Sequence, residues 1–150
     1  MDFEARKFSK ESYDKNDLYA KNKFSQFIIR KGHTIISIIE DYNHDLQTIK
    51  NNTKYFFELE VKTGYKFTNE DSFQFNTVSF LGRKKRLHEI KPFFYVIICR
   101  ETEWAVMCYS ENIYINDYIE HINIKTIHRN GNDELYRVPK NICTFFNLNQ

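Results

Sequence analysis

Residues 55–64, Tyr-Phe-Phe-Glu-Leu-Glu-Val-Lys-Thr-Gly, constrain the fold of this chain more than any other stretch. In an extended segment successive side chains project to opposite faces, so Glu58, Glu60 and Lys62 share one face and Phe57, Leu59 and Val61 share the other. The apolar triplet needs a core. Tyr55-Phe56-Phe57 asks for burial on both faces at the strand's start, and a strand that enters a core and ends in charges borders a cleft. The plain alternative is a solvated strand face whose cross-strand ion pairs contribute little. Glu58 is either an additional ligand or simply a partner of Lys50 or Lys62.

A chain of 150 residues forms one domain, 1–150, whose core buries roughly two-thirds of the unfolded surface. Hydrophobic content of 41%, aromatic content of 17%, four Gly and two Pro describe a mixed helix and sheet protein. The net charge of +2 is too small to mark a nucleic-acid binder, so the electrostatic argument rests on clusters. Arg83-Lys84-Lys85-Arg86 is the densest of them, and it reads as an exposed loop that can clamp phosphate. Cys99, Cys108 and Cys143 are odd in number and widely spaced, as in reduced core thiols, which favours the cytoplasm. No apolar run approaches a membrane span, and the amino end lacks the apolar region of a signal peptide.

The spacing of Asp17, Ala20, Phe24, Phe27 and Ile28 predicts a helix over about residues 14–31, ended by Gly32. Asp17 lies on the inward stripe, which is costly for an acid unless it is paired or binds a cation; it also suits a first turn, where the helix dipole favours an acid. Thr34 to Ile39 begins a sheet that Glu40-Asp41-Tyr42-Asn43 bends. Residues 44–50 and 55–62 form a hairpin around Asn51-Asn52-Thr53-Lys54. A four-residue loop puts Asp45 opposite Glu60, and a tight Asn51-Asn52 turn puts it opposite Glu58. Strands follow at 77–81, 93–100 and 104–109, a short helix is expected within 113–124, and the tail aromatics Phe145 and Phe146 pack back on the body.

Asp45 and Glu60 supply two carboxylates, which suits Mg²⁺ (Mn²⁺ in its place), an ion held by few carboxylates while it keeps several waters. The backbone carbonyl of Val61 can add a third oxygen, and Lys62 is placed to orient a nucleophile or to neutralise developing charge. This pattern, Asp45, then Glu60 and Val61-Lys62 after an amino-terminal helix, resembles the PD-(D/E)XK nuclease superfamily over roughly residues 14–100. The resemblance implies a restriction-endonuclease-like α/β fold, a mixed sheet flanked by helices. Carried over by position, Asp45 is the first metal acid, Glu60 the second, Lys62 the lysine and Asp17 the helix acid. His44 stands where the family has proline, and residues 68–86 stand where a helix is expected after the lysine.

The expected function is therefore Mg²⁺-dependent hydrolysis of DNA, with Arg83, Lys84, Lys85 and Arg86 gripping the backbone. The rival is a nuclease-like DNA-binding or protein-interaction module without catalysis, and an RNA substrate is a third reading. The five histidines show no zinc spacing. A homodimer presenting two sites to two strands is compatible with so small a chain, and an apolar patch around Phe93 or the tail would signal it.

Overall fold

The computed structural model describes the backbone of residues 10–37, 44–125 and 130–150, and the side chains of 14–37, 44–121 and 134–150. The bend expected at 40–43 lies outside the described residues. Helix α1 spans Lys10–Arg30. Its end is a Schellman motif: Gly32, at φ +93°, donates its N–H to the Ile29 carbonyl at 2.9 Å, and His33 donates to Ile28 at 3.1 Å. Only glycine takes that backbone angle without strain, so Gly32 stops the helix.

Strands β1 (Thr34–Ser37), β2 (Leu46–Lys50) and β3 (Thr53–Lys62) form an antiparallel meander. The β2–β3 turn is the tight one. Lys50 pairs with Thr53, and Asn51 and Asn52 sit at φ 50° and 63°, the left-handed pair of a two-residue hairpin turn. Asparagine tolerates that conformation, and the turn's twist matches the strands it joins. The four-residue loop is thereby excluded, and the rung beyond Leu46↔Phe57 sets Asp45 against Glu58.

β4 (Thr77–Leu81) leads through a single 3₁₀ turn at Gly82–Lys84 into helix α2 (Lys85–Ile90). The basic run is thus helical and not a loop. β5 (Phe94–Cys99) then runs parallel to β3 and antiparallel to β6 (Trp104–Tyr109). After the short helix α3 (Ser110–Ile113) come β7 (Ile119–Lys125), β8 (Asn130–Pro139) and β9 (Thr144–Asn147). Residues 119–124 are strand and not helix, because β8 supplies a partner along the whole of β7. The result is a mixed six-stranded sheet, β1-β2-β3-β5-β6-β9, and a three-stranded sheet, β4-β8-β7.

Two cores follow from the alternation in β3 and β5. Phe57, Leu59, Val96 and Ile98 face α1, where Phe24 is fully buried with its ring 4.9 Å from Phe57. Tyr95, Ile97 and Cys99 face Val78, Phe80, Tyr136 and Val138 of the second sheet. The Glu58, Glu60 and Lys62 row lies on this second side, between layers. All three cysteines are buried free thiols, and Phe145 and Phe146 pack on the two cores from the tail. Phe93 itself is buried.

The β4–α2 corner depends on the buried Gly82. A Cβ there meets both the Cβ and the carbonyl oxygen of Glu134 at 2.7 Å. Both belong to β8, held by the Leu81↔Leu135 rung, so they yield little. Gly82→Ala is expected to cost about 1–3 kcal/mol in urea unfolding, as overpacking does. A loss within about 0.5 kcal/mol, the range of an ordinary surface change, would contradict this packing.

Candidate functional site

Past Leu46↔Phe57 the β2–β3 ladder ends and side chains take over its hydrogen bonds. The Asp45 N–H donates to Glu58 Oε2 at 2.7 Å, and the Leu59 N–H donates to Asp45 Oδ2 at 2.9 Å. This reciprocal exchange holds two carboxylates facing one another with 8% and 4% of their residue surfaces exposed. Lys84 Nζ reaches to 3.5 Å from Glu58 Oε1 and lies 5.1 Å from the centre of the Tyr95 ring. His44 Nδ1 is 3.9 Å from Glu58 Oε2, with its ring against Phe56 and Phe93. One repeat along the strand, Glu60 Oε2 accepts a hydrogen bond from the Tyr95 hydroxyl at 3.0 Å.

Burial pushes the Glu58 carboxyl up to about 7, and the charge of Asp45 adds to this; Lys84 and the Asp45 N–H oppose it. Burial likewise raises the Tyr95 hydroxyl, with Glu60 adding to the effect, and the Tyr114 hydroxyl beside Tyr136, Glu58 and Glu60. Both phenols therefore remain protonated donors. The Tyr136 hydroxyl is buried with no hydrogen-bond partner among the described residues, a cost of about 1–3 kcal/mol where nothing satisfies it.

The strand edge adds backbone oxygens. The Leu59 N–H points to Asp45, so the carbonyls of Leu59 and Val61 leave the same edge, where no described strand pairs beyond Phe57. Even-numbered residues turn their peptide groups to β5, as the 3.2 Å bond from the Arg100 N–H to the Lys62 carbonyl shows.

The structure thus brings Asp45 to Glu58 rather than to Glu60. Lys62 lies at the far end of the row, about 7 Å along the strand from Glu60, and has no ion-pair partner among the described residues. Asp17 is not brought to this group: α1 covers the opposite face of the sheet, and Asp17 pairs with Lys21 at 3.2 Å. The basic run divides, with Arg83 and Arg86 exposed, Lys85 half-buried and Lys84 turned inward.

Two residues central to the geometry had a weaker reading in the sequence, and a third had none. Glu58 gains its place from the Asn-Asn turn, which was one of two open registers. Lys84 precedes the buried Leu87 by three residues, a helical spacing that puts both on one face. Tyr95 carried no signal beyond belonging to an apolar strand. Compared with family models, curated proteins and solved structures, the chain matches none.

Proposed function

We propose that the protein is a Mg²⁺-dependent nuclease acting on DNA, with Mn²⁺ serving in place of Mg²⁺. The observation that carries this reading is the pair of buried carboxylates, Asp45 and Glu58, opposed where a hairpin ladder ends, with Lys84 beside them. The order of elements supports it. A helix, three antiparallel strands, a crossover containing α2 and a strand parallel to the third agree with the restriction-endonuclease-like fold that the sequence resemblance implies.

The residues present suit the ion. Among the described residues no three His, Cys, Asp or Glu side chains gather as a metal cage. Mg²⁺ does not need one, since it is commonly held by one or two carboxylates, with waters completing its shell. Asp45 and Glu58 would hold it, with the Leu59 or Val61 carbonyl at the open edge and Glu60 next along the row. A bound cation also relieves the energetic cost of ionising Glu58. When bound, Mg²⁺ supplies polarisation of the phosphoryl oxygens and a more acidic attacking water.

The chain's own residues do the rest. Lys84 is the cation closest to the carboxylates and neutralises charge that grows on the phosphate, the role first read for Lys62. The Tyr95 hydroxyl fixes Glu60. Lys62 engages a neighbouring phosphate, and the exposed Arg83 and Arg86 grip the backbone without reading sequence.

Cleavage of supercoiled and linear DNA in Mg²⁺ or Mn²⁺ tests this directly. Lys84→Ala is expected to lower turnover by roughly 10²-fold, as loss of one preorganised charge does. Lys62→Ala is expected to act mainly on KM. Equal activity of the wild type and both variants sinks the assignment. The second reading, a binding module without catalysis, is favoured by one observation, that Lys84 already pairs with Glu58 from within the fold. Calorimetric titration with Mn²⁺ separates the two, since a module of that kind shows no heat and no change on Asp45→Asn.

A further inference from the structure

Beyond Lys62 the row opens into a cleft of about 380 Å³ between the two sheets. Its wall is aromatic. Tyr65 lies 5.7 Å from Phe73 and 5.6 Å from Phe75, the latter pair tilted by only 32°. These rings are set in place beforehand. The Tyr65 hydroxyl accepts the Gln74 N–H at 3.0 Å, and Lys140 Nζ donates to the carbonyls of Glu70 and Phe73, each at 3.1 Å. Yet Phe75, at the rim, is 54% exposed, although its neighbours Phe67 and Phe73 are buried.

Three kinds of group meet there. Besides the rings, Lys62 lines the cleft without an ion-pair partner among the described residues, and Asn76, Thr77 and Ser79 add polar groups to its lining. Arg137, paired with Glu120, forms the far side. An aromatic plate, hydrogen-bonding groups able to donate and accept, and a single unpaired cation are together what a planar base carrying a phosphate requires. A purely apolar ligand would leave Lys62 and Asn76 unused.

We propose that this cleft binds a nucleotide, its base stacked on Phe75 and Tyr65 and its phosphate on Lys62. It deepens the nuclease reading and rests on it for its use: because Lys62 shares a strand face with Glu58 and Glu60, the cleft receives an unstacked nucleotide next to the bond cut at the carboxylates. Nucleotide binding is itself measured without any cleavage.

The probe is 2-aminopurine 2′-deoxyribonucleoside 5′-monophosphate, whose fluorescence is quenched on stacking. Saturable quenching is expected. Phe75→Ala, a rim change that leaves the thermal melt intact, is expected to weaken it on the order of tenfold. Lys62→Gln is expected to remove the preference for the monophosphate over the nucleoside lacking phosphate. Asp45→Asn is expected to leave the affinity unchanged. Absence of saturable quenching, or quenching indifferent to both cleft variants, overturns the proposal, as does loss of affinity in Asp45→Asn, which would place the ligand at the carboxylates. The two readings fail separately: binding in a protein that never cuts DNA leaves the cleft standing and the nuclease refuted, and cleavage without nucleotide binding does the reverse.

Discussion

Exchanging Glu58 for Gln is expected to abolish a stability loss of roughly 3 kcal/mol that the metal-free wild type undergoes between about pH 4.5 and pH 7. Glu58 ionises at its ordinary value of 4.5 when unfolded and at about 7 when folded, chiefly because burial disfavours its charge. Between those values the folded state holds the proton and the unfolded state has released it. The Glu58 contribution to stability is therefore fullest below pH 4.5 and is lost as pH rises through 7. His33 acts with the opposite sign: burial, aided by Lys50, holds its imidazole below the usual value, so its contribution is lost as pH falls through that range. That effect is common to both proteins and cancels in their difference. Urea unfolding in EDTA from pH 4.5 to 8 is the measurement, with the wild-type minus variant difference in thermal midpoint expected to change by roughly 10 °C across the window. A wild-type minus variant difference that stays flat across the window rejects the buried, charge-penalised Glu58. Adding Mg²⁺ at pH 8 is expected to restore stability to the wild type alone, since a ligand that binds only the folded state stabilises it.

Asp45→Asn is expected to lower Mg²⁺-dependent cleavage by roughly 10³-fold, the upper end for loss of one preorganised electrostatic group, while leaving the metal-free fold more stable at pH 8. The two effects share one cause. The Asp45 charge helps to hold a divalent cation, and without the cation it opposes ionisation of Glu58. The amide oxygen of Asn can still accept the Leu59 N–H, so the hairpin end stays closed. Lost cleavage with a raised midpoint therefore cannot be ascribed to unfolding. Undiminished cleavage by Asp45→Asn would falsify the placement of the reaction at this carboxylate pair.

Much of the architecture was legible because it follows from local chemistry. The helix stripe and its glycine stop, the alternation of β3, the apolar run of β5 and its return through β6 each depend on residues close in sequence. So does the composition of the Glu58, Glu60 and Lys62 row. The elements that escaped, β7 and β8, are defined by their pairing rather than by a pattern of their own. β8 carries polar residues beside Tyr136 and Val138, and it declares itself only when paired with both β4 and β7. Residues 119–124 could be read as helix until that pairing claimed their backbone.

The candidate site divides along the same line. The sequence by itself determined that acids and a lysine share one strand face, that Asp45 lies across a hairpin from them, and that a basic run follows. Which acid meets Asp45 was decided by two asparagines taking left-handed angles, because a register shift of two residues exchanges Glu60 for Glu58 without changing the face. Which cation meets that acid was decided by the second layer. The 3₁₀ turn ahead of α2 carries Lys84 onto Glu58 and Tyr95, while Lys62, four residues along the strand from Glu58, is left facing an aromatic cleft. Burial between layers raises the Glu58 carboxyl and makes its partner matter, and burial is a property of the packed sheets, which no single strand possesses.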